Sequence, residues 1–391
     1  MSVQRFKYLL QFIRFDDRLT RDTSDRLSPV KDIFETFVTQ LTKHFIPGEY
    51  LTVDEQLVPF RGHCRFVQYM PRKPAKYGLK FWALCDAESR YVLSIDLYTG
   101  KKDKMIQKNL CMKVVLELID HLPDSIKQGR CVTFDRYFTD MKLCEALLDR
   151  KMTSIGVVEQ RRSFVPNEIK ICRKKLHSSW FYFANSSMLL SYQAKEKKKP
   201  IIILSSLHKC PETFDDEKSL PCAIHDYNQT KCGVDVIDQC INHYTVRRIT
   251  RRWPLIVFYN LIDIATTNAI AIWLCQNPEW NLRRDNTRRL FLTQLVQQLS
   301  RQQNQRRSQE ARLKPKVKLA LSSLGYSISS QGLDNLSANI PLHPTKKRCY
   351  LYPSNPGRKV RQTCNKCGHN VCISHSKTIT TVTCQTCSEK E

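Results

Sequence analysis

Two β-branched runs in this 391-residue chain end in aspartate: Leu51-Thr52-Val53-Asp54 and Cys131-Val132-Thr133-Phe134-Asp135. A third acidic pair, Asp235 and Asp238 in KCGVDVIDQ, stands at i and i+3 and so shares one helix face. Carboxylates converging from two strands and a helix offer hard oxygen donors, the set that suits Mg²⁺ or Mn²⁺. Two such ions, about 3.5–4 Å apart, can activate a water or 3′-hydroxyl and steady the leaving oxygen of a phosphodiester. A lone Asp after a strand more commonly forms a turn or caps a helix, the role expected of Asp140. It is the repetition, strand then Asp, together with an acidic helix face, that points to a site. Glu55 follows Asp54 directly and should face the other side of its strand, outside the set.

Positioning these acids requires a sheet and its helices. Ser28-Pro29 reads as a helix start, Ser as N-cap and Pro at N1, with Ile33, Phe34, Phe37, Val38 and Leu41 on its apolar face. Strand-like runs follow at 51–53, 79–85 and 91–98, the last two joined by DAESR. Next come a helix carrying Leu110, Val114, Leu118 and Ile119, the strand CVTF, a helix from Asp140 to about Arg150, and the strand TSIGVV. The order β-β-β-α-β-α-β is that of a ribonuclease-H-like α/β core. In such a core the first and fourth strands lie adjacent at the centre, which would set Asp54 beside Asp135. From Arg161 three short strand-like runs and the basic knot Lys195–Lys199 suggest a mainly β insertion. Helical patterns return in GVDVIDQCINHY and PLIVFYNLIDIATTNAIAIWL.

The charge balance points to a polyanion. Lys and Arg number 63 against 37 Asp and Glu, a formal net charge of +26. The stretch VRRITRRWPL sets Arg247, Arg248, Arg251 and Arg252 around Trp253, with the arginines suited to phosphate contacts. Arg72, Lys73 and Lys76 in MPRKPAKYG are further candidates for DNA contact, and a basic helix from Arg283 to Arg312 should face DNA or a second copy. No apolar run in the sequence reads as a membrane span, and the first residues lack the apolar core of a secretory signal, so no membrane partner is expected.

Of the 17 cysteines, the six from Cys349 onward form pairs with two residues between. The pairs are Cys349/Tyr352, Cys364/Cys367, Cys372/His375 and Cys384/Cys387. That gap lets two side chains from one tight knuckle reach the same Zn²⁺. Alternating pairs suggest a cross-brace: a complete site from Cys364, Cys367, Cys384 and Cys387, and a second of Cys349, Cys372 and His375. Tyr352 stands where a fourth ligand is wanted and is a poor one, since its phenol stays protonated at neutral pH. The expectation is one tight zinc and one weak or incomplete site.

The segments LTVDEQLVPFRGHC, YMPRKPAKYGLKFWALCD, VTFDRYFTD, YNQTKCGVDVIDQ and RRWPL together resemble the piggyBac family of transposases and the host proteins derived from them. The resemblance implies a catalytic triad at Asp54, Asp135 and Asp235, with Asp238 as a further required acid. It implies metal-dependent cut-and-paste transposition: cleavage at transposon ends, a 3′-OH nucleophile, a hairpin intermediate and joining to TTAA targets in double-stranded DNA. It equally covers a domesticated DNA- or chromatin-binding descendant without transposition activity. A homodimer, nuclear location and a Cys-rich domain that contacts the transposon end belong to the same implication, and TKKRCY (345–350) is a candidate basic signal. Two motif positions differ from the family's pattern: Arg136 follows the second Asp, and Cys232-Gly233 replaces Gly-Gly.

The expected organisation starts with a shortened helical DNA-binding or dimerisation region at 1–49. A ribonuclease-H-like core (50–160), a β-rich insertion (161–222) and the core's final helix with the third Asp (223–245) follow. A basic helical DNA-binding region (246–321), a polar linker (322–346) and a zinc-binding domain (347–391) complete the chain.

Overall fold

The strand carrying Asp54 is the axis of the fold. In the computed structural model, which describes residues 1–100, 109–170, 175–282, 284–310, 312–328, 347–351 and 359–377, it runs as β1 from Tyr50 to Pro59. Before it lie α1 (Val3–Phe12), a 3₁₀ turn (Ser28–Val30) and α2 (Lys31–Leu41). After it come β2 (Gln68–Tyr69), β3 (Tyr77–Asp86), β4 (Val92–Leu97), α3 (Leu110–Asp120), α4 (Asp124–Lys127) and β5 (Cys131–Phe134). These are followed by α5 (Met141–Asp149), β6 (Thr153–Val157) and α6 (Asn167–Lys170). The chain continues through β7 (Ser179–Ala184), β8 (Ser187–Tyr192), β9 (Ile201–Ser205), α7 (Cys222–Thr230), α8 (Gly233–His243) and α9 (Trp253–Gln276). It divides into two compact units, 1–291 and 292–391.

All nine of these strands join one mixed sheet, in the order β3-β1-β5-β6-β9-β8-β7, with β2 and β4 both pairing β3. β1 is antiparallel to β3 and parallel to β5, with Val53 opposite Phe134. The expected adjacency of the two Asp-bearing strands is therefore present. On one face Leu51, Val53, Trp82 and Leu84 pack on α3 and α5 through Val115, Leu118, Leu143 and Leu147. On the other, Val58, Phe81, Ala83 and Cys85 pack on α2, α8 and α9 through Phe34, Val234, Ile237 and Ile256. The fold is mixed α/β with helices on both faces.

Several expectations are corrected. β1 does not stop at its acids: pairing with β3 continues to Pro59, so Asp54 lies in mid-strand. The helix expected at Ser28 begins at Lys31, because Pro29 sits in the preceding 3₁₀ turn and neither start has a side-chain cap. Residues 161–222 contain β7 to β9, which extend the same sheet through β9 against β6. The linker falls largely outside the described residues.

Among the described residues one helix, α9, is long and apolar enough to cross a membrane, contrary to the sequence reading, but 67% of its apolar window is buried inside the protein. Its polar residues explain why it belongs there. Asn260, Asp263 and Asn268 are buried and bonded to β1, to the basic loop after α8 and to β4. Asn268 acts as a substitute strand: its Oδ1 accepts from Val92 N at 2.8 Å and its Nδ2 donates to Val92 O at 2.9 Å. This happens beside the register shift at Leu84/Cys85, where β3 and β4 slip past each other. Asn268→Leu keeps the branched shape but strips both bonds, leaving a buried N–H and C=O unpaired. We expect a loss of roughly 2–6 kcal/mol in urea unfolding, at about 1–3 kcal/mol per orphaned group.

The second unit contains most of α10 (Thr287–Ser308), then α11 (Pro315–Ser323), the hairpin of β10 (Lys347–Arg348) with β11 (Lys359–Val360), and a 3₁₀ turn at Ile373–His375. Cys349, Val371 and Cys372 are its buried residues near the hairpin.

Candidate active site and nucleic-acid groove

Three buried threonines decide where the acids point. Thr52 Oγ1 donates to the carbonyl of Thr230 at 2.6 Å, and the hydroxyls of Thr133 and Thr230 lie 2.7 Å apart. Thr230 ends α7, so β1 and β5 are both stapled to the turn that opens α8. Side chains alternate along a strand, so Asp54 and Asp135, each two residues past its threonine, face the same helix pair. Gly233 starts α8 against this face: a Cβ there would lie 2.7 Å from Cys85 Sγ and 2.8 Å from Thr52 Oγ1. Glycine is required at 233 but not at the exposed Cys232, which accounts for the Cys-Gly order. Asp235 and Asp238 follow on α8.

Past Val53 the second edge of β1 has no strand beside it, because β5 ends at Phe134. Side chains take over that edge. Lys73 Nζ donates to the Glu55 carbonyl at 2.9 Å, and Asp238 accepts the Leu57 N–H and a bond from the Gln56 side chain. Asn260 of α9 in turn donates to Gln56 Oε1 at 3.0 Å. Lys73 Nζ also donates to Asp235 Oδ1 at 3.1 Å. Lys73 thus bonds Asp235 and acts by its charge on Asp54 and Asp238, while the cation acting on Asp135 is Arg136.

The electrostatics follow from this crowding. Burial pushes the Asp54 carboxyl well above the usual range, Glu55 and Asp135 add repulsion, and Lys73 opposes them. Asp135 is raised by burial and by Glu55, against the N–H of Tyr137 (2.8 Å) and the charge of Arg136. Asp238 is raised to about 6 by burial, with Lys73, Gln56 and the Leu57 N–H pulling it down. Burial lowers Lys73, yet Asp54 and Asp235 more than offset this and hold its ammonium above the ordinary value. Part-buried Asp54, Asp135 and Asp238 and the exposed Asp235 offer oxygen donors of the kind a hard cation takes, although no three of their carboxylates come within 4.8 Å of one another. Asp54, Asp135 and Asp235 are the residues that would hold it. Glu55 lies on the opposite sheet face, paired across from Trp82.

Beside the acids runs a groove of about 1070 Å³ lined by Asp235, Asp238, Lys73, Arg61, Arg247, Arg248 and Arg251. Asp263 anchors the start of its basic wall, accepting from Thr245 Oγ1 at 2.5 Å and Val246 N at 2.9 Å. Arg248 and Arg251 are exposed, as are Arg72 and Lys76. Two residues expected to contact DNA have other tasks. Arg252 is turned inward and donates to the carbonyls of Leu10, Gln11 and Ile13 at the end of α1. Lys73 points into the acids, only 17% exposed. Trp253 packs edge-on against Phe66 at 5.0 Å. Arg61, Gln56, Asp263 and the threonine staple escaped the sequence reading. Their signal was there: Thr52, Asp54 and Gln56 put three polar residues on one face of a buried strand.

In the second unit Cys349, Cys372 and His375 bring their ligand atoms within 4.8 Å of one another, the one such convergence among the described residues. Cys372 Sγ lies 3.2 Å from His375 Nδ1, and Cys372 N donates to Cys349 Sγ at 3.2 Å. Burial raises the Cys349 thiol, but N–H groups of Cys372 and Leu351 together with His375 bring it down to about 7. Cys364 and Cys367 form a separate knuckle: the N–H groups of Cys367 and Lys366 aim at the Cys364 sulfur and lower its pKa. Gly368 closes the turn at φ +72. This donor chemistry fits Zn²⁺. Tyr352, Cys384 and Cys387 lie outside the described residues.

This fold sets a group of acids beside a basic groove. Residues 1–270 match the family model described as Transposase IS4, and the chain belongs to the piggyBac-type transposases. It superposes on the cryo-EM structure of the piggyBac transposase synaptic complex with hairpin DNA with a TM-score of 0.73 and 30% identity, covering 96% of this chain and 78% of that one. Human PiggyBac transposable element-derived protein 2 is 24% identical over 301 residues, 71% of this chain and 50% of its own length. Human PiggyBac transposable element-derived protein 3 is 23% identical over 283 residues, 67% and 47% respectively. The chain thus spans about half the length of these curated relatives.

Because α8 rests on Gly233, Gly233→Ala should lift both helix aspartates from the sheet. Overpacking of this kind costs about 1–3 kcal/mol, and adding Cys85→Ala should restore part of it in thermal unfolding. A Gly233→Ala protein as stable as the natural chain would show that α8 can move outward freely.

Proposed function

We propose that the chain is a DDD-type DNA transposase, cleaving transposon ends and joining them to TTAA targets through a 3′-OH nucleophile and a hairpin intermediate. The observation that carries this reading is the register of Asp54 and Asp135 on adjacent parallel strands, facing the helix that bears Asp235 and Asp238, beside an arginine-lined groove. The strand order β3-β1-β5-β6 supports a ribonuclease-H-like core. Mg²⁺ or Mn²⁺ held by Asp54, Asp135 and Asp235 would supply the charge that activates an oxygen nucleophile and steadies the leaving oxygen. The chain's own contribution is placement. The threonine staple and Gly233 turn the acids toward one face, Gln56 and the Leu57 N–H orient Asp238, and Arg247, Arg248 and Arg251 would hold the phosphate backbone along the groove.

Partners in this reading are double-stranded DNA and a second copy of the chain, and the site of action is the nucleus. The tail carries zinc, one tight ion at Cys364, Cys367, Cys384 and Cys387 and a weaker one at Cys349, Cys372 and His375. A second reading, a domesticated DNA-binding protein that moves nothing, draws on the likeness to human element-derived proteins. Retention of all four aspartates favours the enzyme.

Asp54→Asn separates the two readings. In a strand-cleavage assay on transposon-end DNA it should abolish activity that the natural chain has, while DNA binding by mobility shift stays within about twofold, because binding rests on the basic wall. A natural chain that binds but cleaves no end sequence would favour the domesticated reading.

Arg248→Ala with Arg251→Ala should weaken binding to all DNA alike. It should also flatten the slope of log affinity against log salt by about 0.9 for each phosphate that is no longer neutralised. Weakening confined to one sequence would instead make these arginines base readers.

A further inference from the structure

Lys73 is placed where an outward DNA contact was expected, yet its ammonium lies among the acids. It donates to Asp235 Oδ1 at 3.1 Å and to the Glu55 carbonyl at 2.9 Å, and the charge of Asp54 acts on it as strongly as that of Asp235 or more so. The lysine is largely buried while Asp235 is mostly exposed, so the pair is held from the lysine's side. Lys73 reaches this position from the turn between β2 and β3, in which Met70 N donates to Lys76 O at 2.7 Å and Lys73 N to Met70 O at 3.1 Å. Arg72 and Pro74 on either side are exposed, so the turn that carries Lys73 lies at the surface.

From this geometry we propose that Lys73 is a built-in counter-ion that competes with the divalent cation: it neutralises Asp54 and Asp235 in the metal-free protein and yields Asp235 when the cation binds. The inference rests on reading the aspartates as a cation site and adds a residue that sets how tightly they hold the ion. A cation between Asp54 and Asp235 meets a fixed positive charge within a few ångströms, and two like charges in a half-buried setting repel strongly. The lysine thereby prevents the acids from springing apart before metal arrives and weakens the binding of metal afterwards. It is a positioning residue, acting through the carboxylates.

The test uses the full chain, loaded beforehand with zinc so that the cysteines are occupied, and Ca²⁺ as probe, since a hard cation prefers oxygen ligands. Calcium binding is measured by titration calorimetry without DNA for the natural chain, Lys73→Met and Lys73→Arg. We expect Lys73→Met to bind calcium about tenfold more tightly or better, to unfold at a lower temperature without calcium, and to gain more thermal stability on adding it. Lys73→Arg, which keeps the charge, should stay near the natural affinity. Calcium binding that is unchanged or weaker in Lys73→Met overturns the role of the lysine and leaves the cation site standing. No calcium binding by either protein overturns the cation site itself.

Should Lys73→Met fail to fold, the natural chain decides the matter. Acetylation of Lys73 by an amine-reactive ester, followed by peptide mass spectrometry, should be slow without calcium and several-fold faster with saturating calcium. A rate that is the same or slower with calcium overturns displacement.

Discussion

The difference in length between β1 and β5 is the constraint on which the site depends. β5 stops at Phe134, and β1 continues to Pro59. A central strand whose edge lies open inside a protein leaves N–H and C=O groups that must find partners. Here they are met by charged side chains. Lys73 takes the Glu55 carbonyl, and Asp238 takes the Leu57 N–H. Backbone satisfaction therefore brings one cation and one anion to the very place where Asp54 and Asp135 emerge. The site's charge pattern begins as a solution to a hydrogen-bonding problem.

The surrounding polar network is rigid because each member has a defined partner. Thr230 holds both strands, Asn260 holds Gln56, Gln56 holds Asp238, and Asp263 holds the first residues of the basic loop. Such buried networks stabilise little in net terms, but leaving any member unpaired costs about 1–3 kcal/mol. Their effect is to specify one arrangement of α7, α8 and α9 over the sheet. Apolar packing alone would let α8 slide along β1, and a slide of one residue would take its carboxylates away from Asp54 and Asp135.

Much of this was legible in the sequence, at different depths. The two Asp-bearing strands and the acidic face of α8 could be read from residue pattern and helical spacing, because each is local, and the adjacency of the strands from the order of the elements. The length of β1 could not, since VDEQLVP reads as a strand end until β3 is known to pair along it. Lys73 and Arg252 were assigned to DNA by composition. A basic residue in a basic protein carries no sign of direction, and only the tertiary fold turns the one towards Asp235 and the other towards the end of α1. The helix α9 misleads in the opposite sense: its apolar length suits a bilayer, while Asn260, Asp263 and Asn268 mark it as a core helix once their partners are seen.

The same groove has walls of one sign and a floor of the other, and that opposition has a functional consequence. Arg247, Arg248 and Arg251 attract a phosphate backbone along the groove, while Asp235 and Asp238 repel a phosphate that comes down to the floor. In a chain of net charge +26 the attraction dominates at a distance, so DNA should arrive readily and be held by the walls. Close approach of a single phosphodiester to the acids becomes favourable only when their charge is compensated on the side that faces the groove. Lys73 compensates only in part, through its bond to the exposed Asp235, and Asp238 beside it keeps this part of the groove acidic. In the proposed transposase reading, binding of the duplex and engagement of one bond would thus be separate steps set by separate charges, so that DNA could be held without being cut until the acids are neutralised.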